Sequence, residues 1–151
     1  MRAPASTVLA LAAQVEDWPR LLAHYRFVEE RARRPEGRIV VMSAYRAGVR
    51  IPVRWRALQR VDDEGRRVLY RHIGGLTRGM IVEWRIVPSG DGVDVTIIHD
   101  FAPNWPWPGR LIARYIVCRF FVHAIADATL TGIKKAAEQP EHHGPNLSPR
   151  A

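Results

Sequence analysis

The sequence predicts an α+β fold, an antiparallel sheet packed beside one long C-terminal helix. Three observations carry that expectation. Hydrophobicity alternates with period two from about residue 26 to 101. Turn chemistry of the hairpin type, "DDEG" at 62–65 and "PSGDG" at 88–92, joins successive alternating segments. Beyond residue 109, apolar side chains recur at three- and four-residue spacing. A sheet curved round such a helix would leave a cavity between them.

The elements follow in order. "RAPASTVLALAAQ" reads as a helix, with Pro4 suited to its first turn, Ser6 or Thr7 able to cap it, and good helix formers behind. "VEDWPRLLAHY" adds a second short helical turn marked by Asp17 and Pro19. Five strands or so come next. "RIVVMSAY" is β-branched, and "IPVRWRALQRV" sets Ile51, Val53, Trp55 and Ala57 against Arg50, Arg54 and Arg56. "RRVLYRHI" is another, with the Gly-rich connection "GGLTRG" after it. In it, Tyr70 and Arg71 are neighbours on opposite faces, so at most one of them lines a cavity. "MIVEWRIV" aligns Met80, Val82, Trp84 and Ile86, and "VDVTIIHDF" aligns Val93, Val95, Ile97, His99 and Phe101. The final helix spans about 28 residues and stacks Leu111, Tyr115, Cys118, Val122, Ile125, Thr129 and Ile133 on one stripe. Residues 1–139 read as one domain and 140–151, polar and Pro-rich, as a disordered tail.

Composition narrows the function classes. At 151 residues and 47% hydrophobic content, the chain supports a single buried core. No apolar run approaches the roughly 20 residues that cross a bilayer, and a lone cysteine fits a reducing compartment, so a cytoplasmic location is expected. The net charge of +8 rests on 21 arginines against 2 lysines. They are scattered, and no nucleic-acid motif accompanies them, so no nucleic-acid partner is expected. No metal-ligand spacing occurs, and "GGLTRG" precedes a strand rather than a helix, so neither a metal nor a phosphate-bound cofactor is expected.

The order of elements, together with "VEDWPRLL" at 15–22, "GMIVEW" at 79–84 and "GIKKAAE" at 132–138, resembles the START-like polyketide cyclase/dehydrase and lipid-transport superfamily. Within it, the nearest likeness is to the tetracenomycin-type aromatase/cyclases. The resemblance covers about residues 3 to 138 and implies the helix-grip fold, a curved antiparallel sheet wrapped around the long helix. It also implies a strand before Ala3-Pro4. Only Met1 and Arg2 stand there, so that first strand lies upstream or is missing. The implied activity is aldol cyclisation and dehydration of a poly-β-ketone held in the cavity, with an acidic acyl carrier protein as partner. The alternative is a non-catalytic carrier of a lipid or quinone, which alone would call for membrane contact.

The resemblance places Trp18, Tyr25, Met80 and Trp84 on the pocket wall, Thr129 facing the cavity, and Arg60 on the cyclases' functional arginine. A guanidinium there would polarise a ketone, and Tyr25 would protonate an aldol alkoxide. Parity opposes the first assignment. Arg60 shares the phase of Arg54 and Arg56, and only a bulge or a strand end turns it inward; otherwise it is a solvated arginine. Tyr25 can equally be a half-buried tyrosine whose hydroxyl meets water. His99, in phase with Ile97, is a buried imidazole with either a structural or a chemical role. His123 and Asp127 read as a surface pair rather than as a base with its orienter. Ile97, Tyr115, Val122 and Ile125 complete the expected lining, and Cys118 on the same stripe is inert packing. In "FAPNWPWPGRL", Pro106 and Pro108 hold Trp105 and Trp107 extended, which predicts a rigid rim with at least one indole facing the pocket.

Overall fold

The computed structural model describes residues 1–46, 49–75, 77–101 and 122–139. Helix α1 (Ala5–Ala13) is followed by a 3-10 turn (Val15–Asp17) and the short α2 (Trp18–Leu21). Pro4 occupies the N-cap position itself, so Ser6 and Thr7 fall inside the helix and cap nothing. The strands are β1 (Tyr25–Arg34), β2 (Gly37–Arg46), β3 (Val49–Asp62), β4 (Arg67–Gly75), β5 (Ile81–Ser89) and β6 (Gly92–Asp100), and α3 (His123–Glu138) closes the described chain. Every strand pairs antiparallel with the next in the order β1-β2-β3-β4-β5-β6, an uncrossed meander. With α3 and the short N-terminal helices against the curved sheet, this is the helix-grip START fold.

Strand β1 is the element that alternation alone did not reveal. Six of the ten residues in "YRFVEERARR" are charged, and only Tyr25 and Val28 are buried. It lies at the sheet edge, where charge blunts an otherwise open ladder. Irregular pairing against β2 at Tyr25/Phe27 and Glu30/Ala32 bends this edge. The opposite edge, β6, is met by the chain start: the Met1 amine donates to the Val93 carbonyl (2.7 Å), and the Val93 N–H donates back to Met1 (2.8 Å). Among the described residues, no strand precedes α1.

The concave side of the sheet and the inner side of α3 form one core. Val40, Met42, Ala44, Val53, Trp55, Ala57, Val68, Tyr70, Val82, Trp84 and Ile86 point into it, as Ile133 does from the helix. Of the sequence-predicted stripe, Val122, Ile125, Thr129 and Ile133 are described, and they face this core. Leu22 packs so closely on α3 that a Cβ at Gly132 would come within 2.2 Å of its Cδ2. No described helix is long and apolar enough to cross a membrane. The 140–151 tail lies outside the described residues.

Candidate functional site

Between sheet and helix lies a cavity of about 80 Å³. Trp18 and Tyr25 line it from α2 and the start of β1. Met42, Val53, Trp55, Tyr70, His72, Met80, Val82, Trp84, Ile97 and His99 form the sheet wall, with Thr77 beside them; Ile125, Ala126 and Thr129 come from α3 and Val122 from just before it. A larger hollow of about 570 Å³ is an open groove between Leu21–His24 and the α3 residues Ala124, Asp127, Ala128, Thr131 and Gly132. The aromatic rings and the buried polar groups gather in the smaller one.

Strand alternation builds the wall. Positions 53, 55, 57 and 59 of β3 and 68, 70 and 72 of β4 are buried while the residues between them reach outward. The rings then interlock. Trp18 meets Tyr25 edge-on at 5.0 Å and lies 5.9 Å from Trp84, and Tyr25 lies 6.1 Å from Trp55. Trp18 is held by its indole N–H, which donates to the Leu11 carbonyl (2.8 Å).

Two polar groupings face this aromatic box. At the helix side, the Thr129 hydroxyl donates back to the Ile125 carbonyl (2.7 Å), while its oxygen lies 3.0 Å from His24 Nε2 and 3.5 Å from the Tyr25 hydroxyl. At the sheet side, His72 Nδ1 lies 2.6 Å from Thr77 Oγ1, and the His72 ring stacks on Trp55 at 6.0 Å. Burial pushes the Tyr25 and Tyr70 hydroxyls well above the ordinary phenol range, the Thr129 contact opposing this weakly at Tyr25. Burial also holds His72 down to about 3, with His99 lowering it further. His99 sits at about 4, for burial first and then for His123, with Asp127 opposing. All these groups are therefore neutral at pH 7, and no charged side chain is among the described lining residues.

Of the residues expected on the pocket wall, Trp18, Tyr25, Met80, Trp84, Ile97, His99, Val122, Ile125 and Thr129 do line the cavity. Arg60 does not; it is exposed on the outer face. The reason lies in the pairing of β3 with β4. Arg56 pairs with Gly74 and Ala57 with His72, so the extra residue, Ile73, belongs to β4. Strand β3 keeps its alternation unbroken, and Gln59, not Arg60, turns inward. His123 and Asp127 are exposed on α3, and of Tyr70 and Arg71 it is the tyrosine that lines the cavity. Trp105, Trp107, Tyr115 and Cys118 lie outside the described residues. His72, Trp55, Met42 and Thr77 line the cavity without having been singled out as site residues by sequence. Period-two alternation extended from Val68 and Tyr70 reaches His72, whereas nothing in "GGLTRG" marks Thr77.

A family model described as polyketide cyclase/dehydrase and lipid transport matches residues 1–115. The chain belongs to that family. Among solved structures it is similar to an aromatase/cyclase, Zhui, from Streptomyces sp. R1128 (20% identity, 90% of this chain and 87% of that one, TM-score 0.75). It is also similar to a protein of Thermus thermophilus (23%, 91% of each chain, TM-score 0.73) and to a START superfamily protein of Mycobacterium smegmatis (15%, 92% of each, TM-score 0.69). At these identities the likeness establishes the fold. No curated protein sequence matches. Polyketide cyclase/dehydrase family membership carries with it a hydrophobic small-molecule ligand as the expected partner.

Proposed function

We propose that the cavity binds a compact, flat, uncharged molecule, an aromatic or polyketide-type skeleton carrying oxygens. One observation carries this reading: an aromatic box whose polar groups, Tyr25, His72, His99 and Thr129, are all neutral at pH 7. Such a wall stabilises apolar rings and offers hydrogen bonds to oxygen, while an ionised ligand would lose its hydration with no countercharge. At about 80 Å³ the space is smaller than the roughly 150 Å³ that accepts benzene in an engineered protein cavity. Binding therefore requires the wall to yield, and the unbranched side chains of Met42 and Met80 are the adaptable part of it. Native mass spectrometry of the protein purified from its own host tests the reading. A retained neutral aromatic or polyketide-type molecule is the expected result. A ligand-free protein whose cavity resonances also ignore added aromatic compounds would sink it.

A second reading, cyclisation of a poly-β-ketone, is favoured by Tyr25, a phenol-bearing residue that lines the cavity. A base would remove a proton between two carbonyls, the carbanion would attack a ketone, and Tyr25 would supply the proton that the new alkoxide takes before water is lost. The arginine expected to polarise that ketone is on the outer face. Imidazoles near 3 and 4 are weak bases compared with the ideal near the working pH. Binding is accordingly the first reading. An acidic acyl carrier protein would be the partner under the second, drawn by the net charge of +8. Incubation with a carrier-bound poly-β-ketone distinguishes them: one cyclised product supports catalysis, and the spontaneous mixture excludes it.

A further inference from the structure

One buried group on the cavity wall has only half of its hydrogen-bonding capacity engaged. His72 is 7% exposed, near the end of β4. Its backbone is held on both sides, the N–H donating to Met80 (2.8 Å) and the carbonyl accepting from the Gly79 N–H (2.9 Å). The ring lies parallel to Trp55, with 10° between the planes. Its Nδ1 is 2.6 Å from the hydroxyl of Thr77, itself 5% exposed.

The ring's tautomer depends on which way the proton of that contact points. A threonine has one proton to donate, and among the described residues the acceptor within reach is His72 Nδ1. With Thr77 donating, the proton of the neutral ring sits on Nε2. The other tautomer would place a hydrogen on Nδ1 and leave the buried Thr77 proton without an acceptor, a costly arrangement. Nε2 has no partner among the described residues, and the ring that carries it lines the cavity. An unpartnered donor in an apolar box is what a ligand oxygen would satisfy.

We propose that His72, its tautomer set by Thr77, presents Nε2–H to the cavity as the hydrogen-bond donor that selects ligands with an accepting oxygen, a ketone or comparable carbonyl, over hydrocarbons of the same shape. The inference rests on the reading of the cavity as a ligand site and deepens it to neutral carbonyl compounds. Because the ring stays neutral under burial and the influence of His99, a carboxylate or phosphate gains no ion pair from it.

The test uses two flat probes that differ only in C=O against C=CH₂, acetophenone and α-methylstyrene, titrated calorimetrically into the full chain. Acetophenone binds about tenfold tighter, the effect of one satisfied hydrogen bond. His72→Phe brings the ratio to about one, and Thr77→Val, which frees the tautomer, lowers it. Should a variant fail to fold, ¹⁵N NMR of the unaltered protein decides the tautomer by itself, with Nε2 protonated and Nδ1 bare. Equal affinity for the two probes, a ratio that survives His72→Phe, or a proton found on Nδ1 each overturns the proposal. Failure to bind either probe overturns the cavity reading and the selectivity with it, an outcome distinct from binding both equally.

Discussion

Two buried polar clusters stand side by side on β3 and β4, and they differ in how fully they are satisfied. In one, the Gln59 side-chain carbonyl accepts from Arg38 (2.5 Å), and its amide donates to Ala13 (2.9 Å) and to the Tyr70 hydroxyl (3.0 Å). Tyr70 in turn donates to Ala12 (2.7 Å). Arg38 also reaches the Ala13 carbonyl (2.6 Å), Glu16 and Glu30. The last carbonyls of α1, which have no partner within the helix, are thus tied to the sheet. In the other cluster, His72 Nδ1 and the Thr77 hydroxyl meet, and the second ring nitrogen has no partner among the described residues. A saturated network serves the fold; one left incomplete at a cavity serves a ligand.

Breaking the saturated cluster should have the largest effect. Gln59→Ala removes a fully buried amide and strips Tyr70 of its donor, which should cost about 3 kcal/mol in urea unfolding. Acid should expose the other cluster next. An unfolded His72 titrates near the ordinary 6.5 and the folded one near 3, so the unfolded state binds more protons between those values. Stability is then complete above pH 6.5 and falls with acidification at about 1.4 kcal/mol per pH unit for this residue. His99, held at about 4, adds a slope of the same sign over a narrower pH window. Comparing wild type with His72→Phe between pH 6.5 and 5 should show that contribution disappear; equal slopes would mean that His72 titrates freely in the fold.

The double change His72→Phe with Thr77→Val sharpens the contrast. It removes both partners of a buried pair and leaves nothing unsatisfied, so thermal unfolding at pH 7 should change by less than about 1 kcal/mol while carbonyl selectivity is lost. A large loss would make the pair a structural cluster after all. Arg60→Ala should do least, within about 0.5 kcal/mol in stability and without change in ligand affinity, since Arg60 is exposed on the outer face. A binding defect there would restore the arginine to the site.

The outcome at Arg60 shows where legibility ended. Strand parity put it outside and family resemblance put it on a function; the structure agrees with parity, because the extra residue sits in β4. Parity also supplied Trp84 and His99, and the helical stripe supplied Val122, Ile125 and Thr129. Strand β1 escaped because an edge strand makes ladder bonds on one side only and keeps its charges in water.

The sequence by itself determined which faces of β2 to β6 are apolar and which helix stripe closes on them, because periods of 2.0 and 3.6 residues are local properties of the chain. Only the tertiary structure decided that Thr77, from a glycine-rich connection, would meet His72, and that the Gln59 cluster would be saturated by the end of α1. Hydrogen-bond satisfaction is a property of groups brought together from separate elements, and no periodicity encodes it.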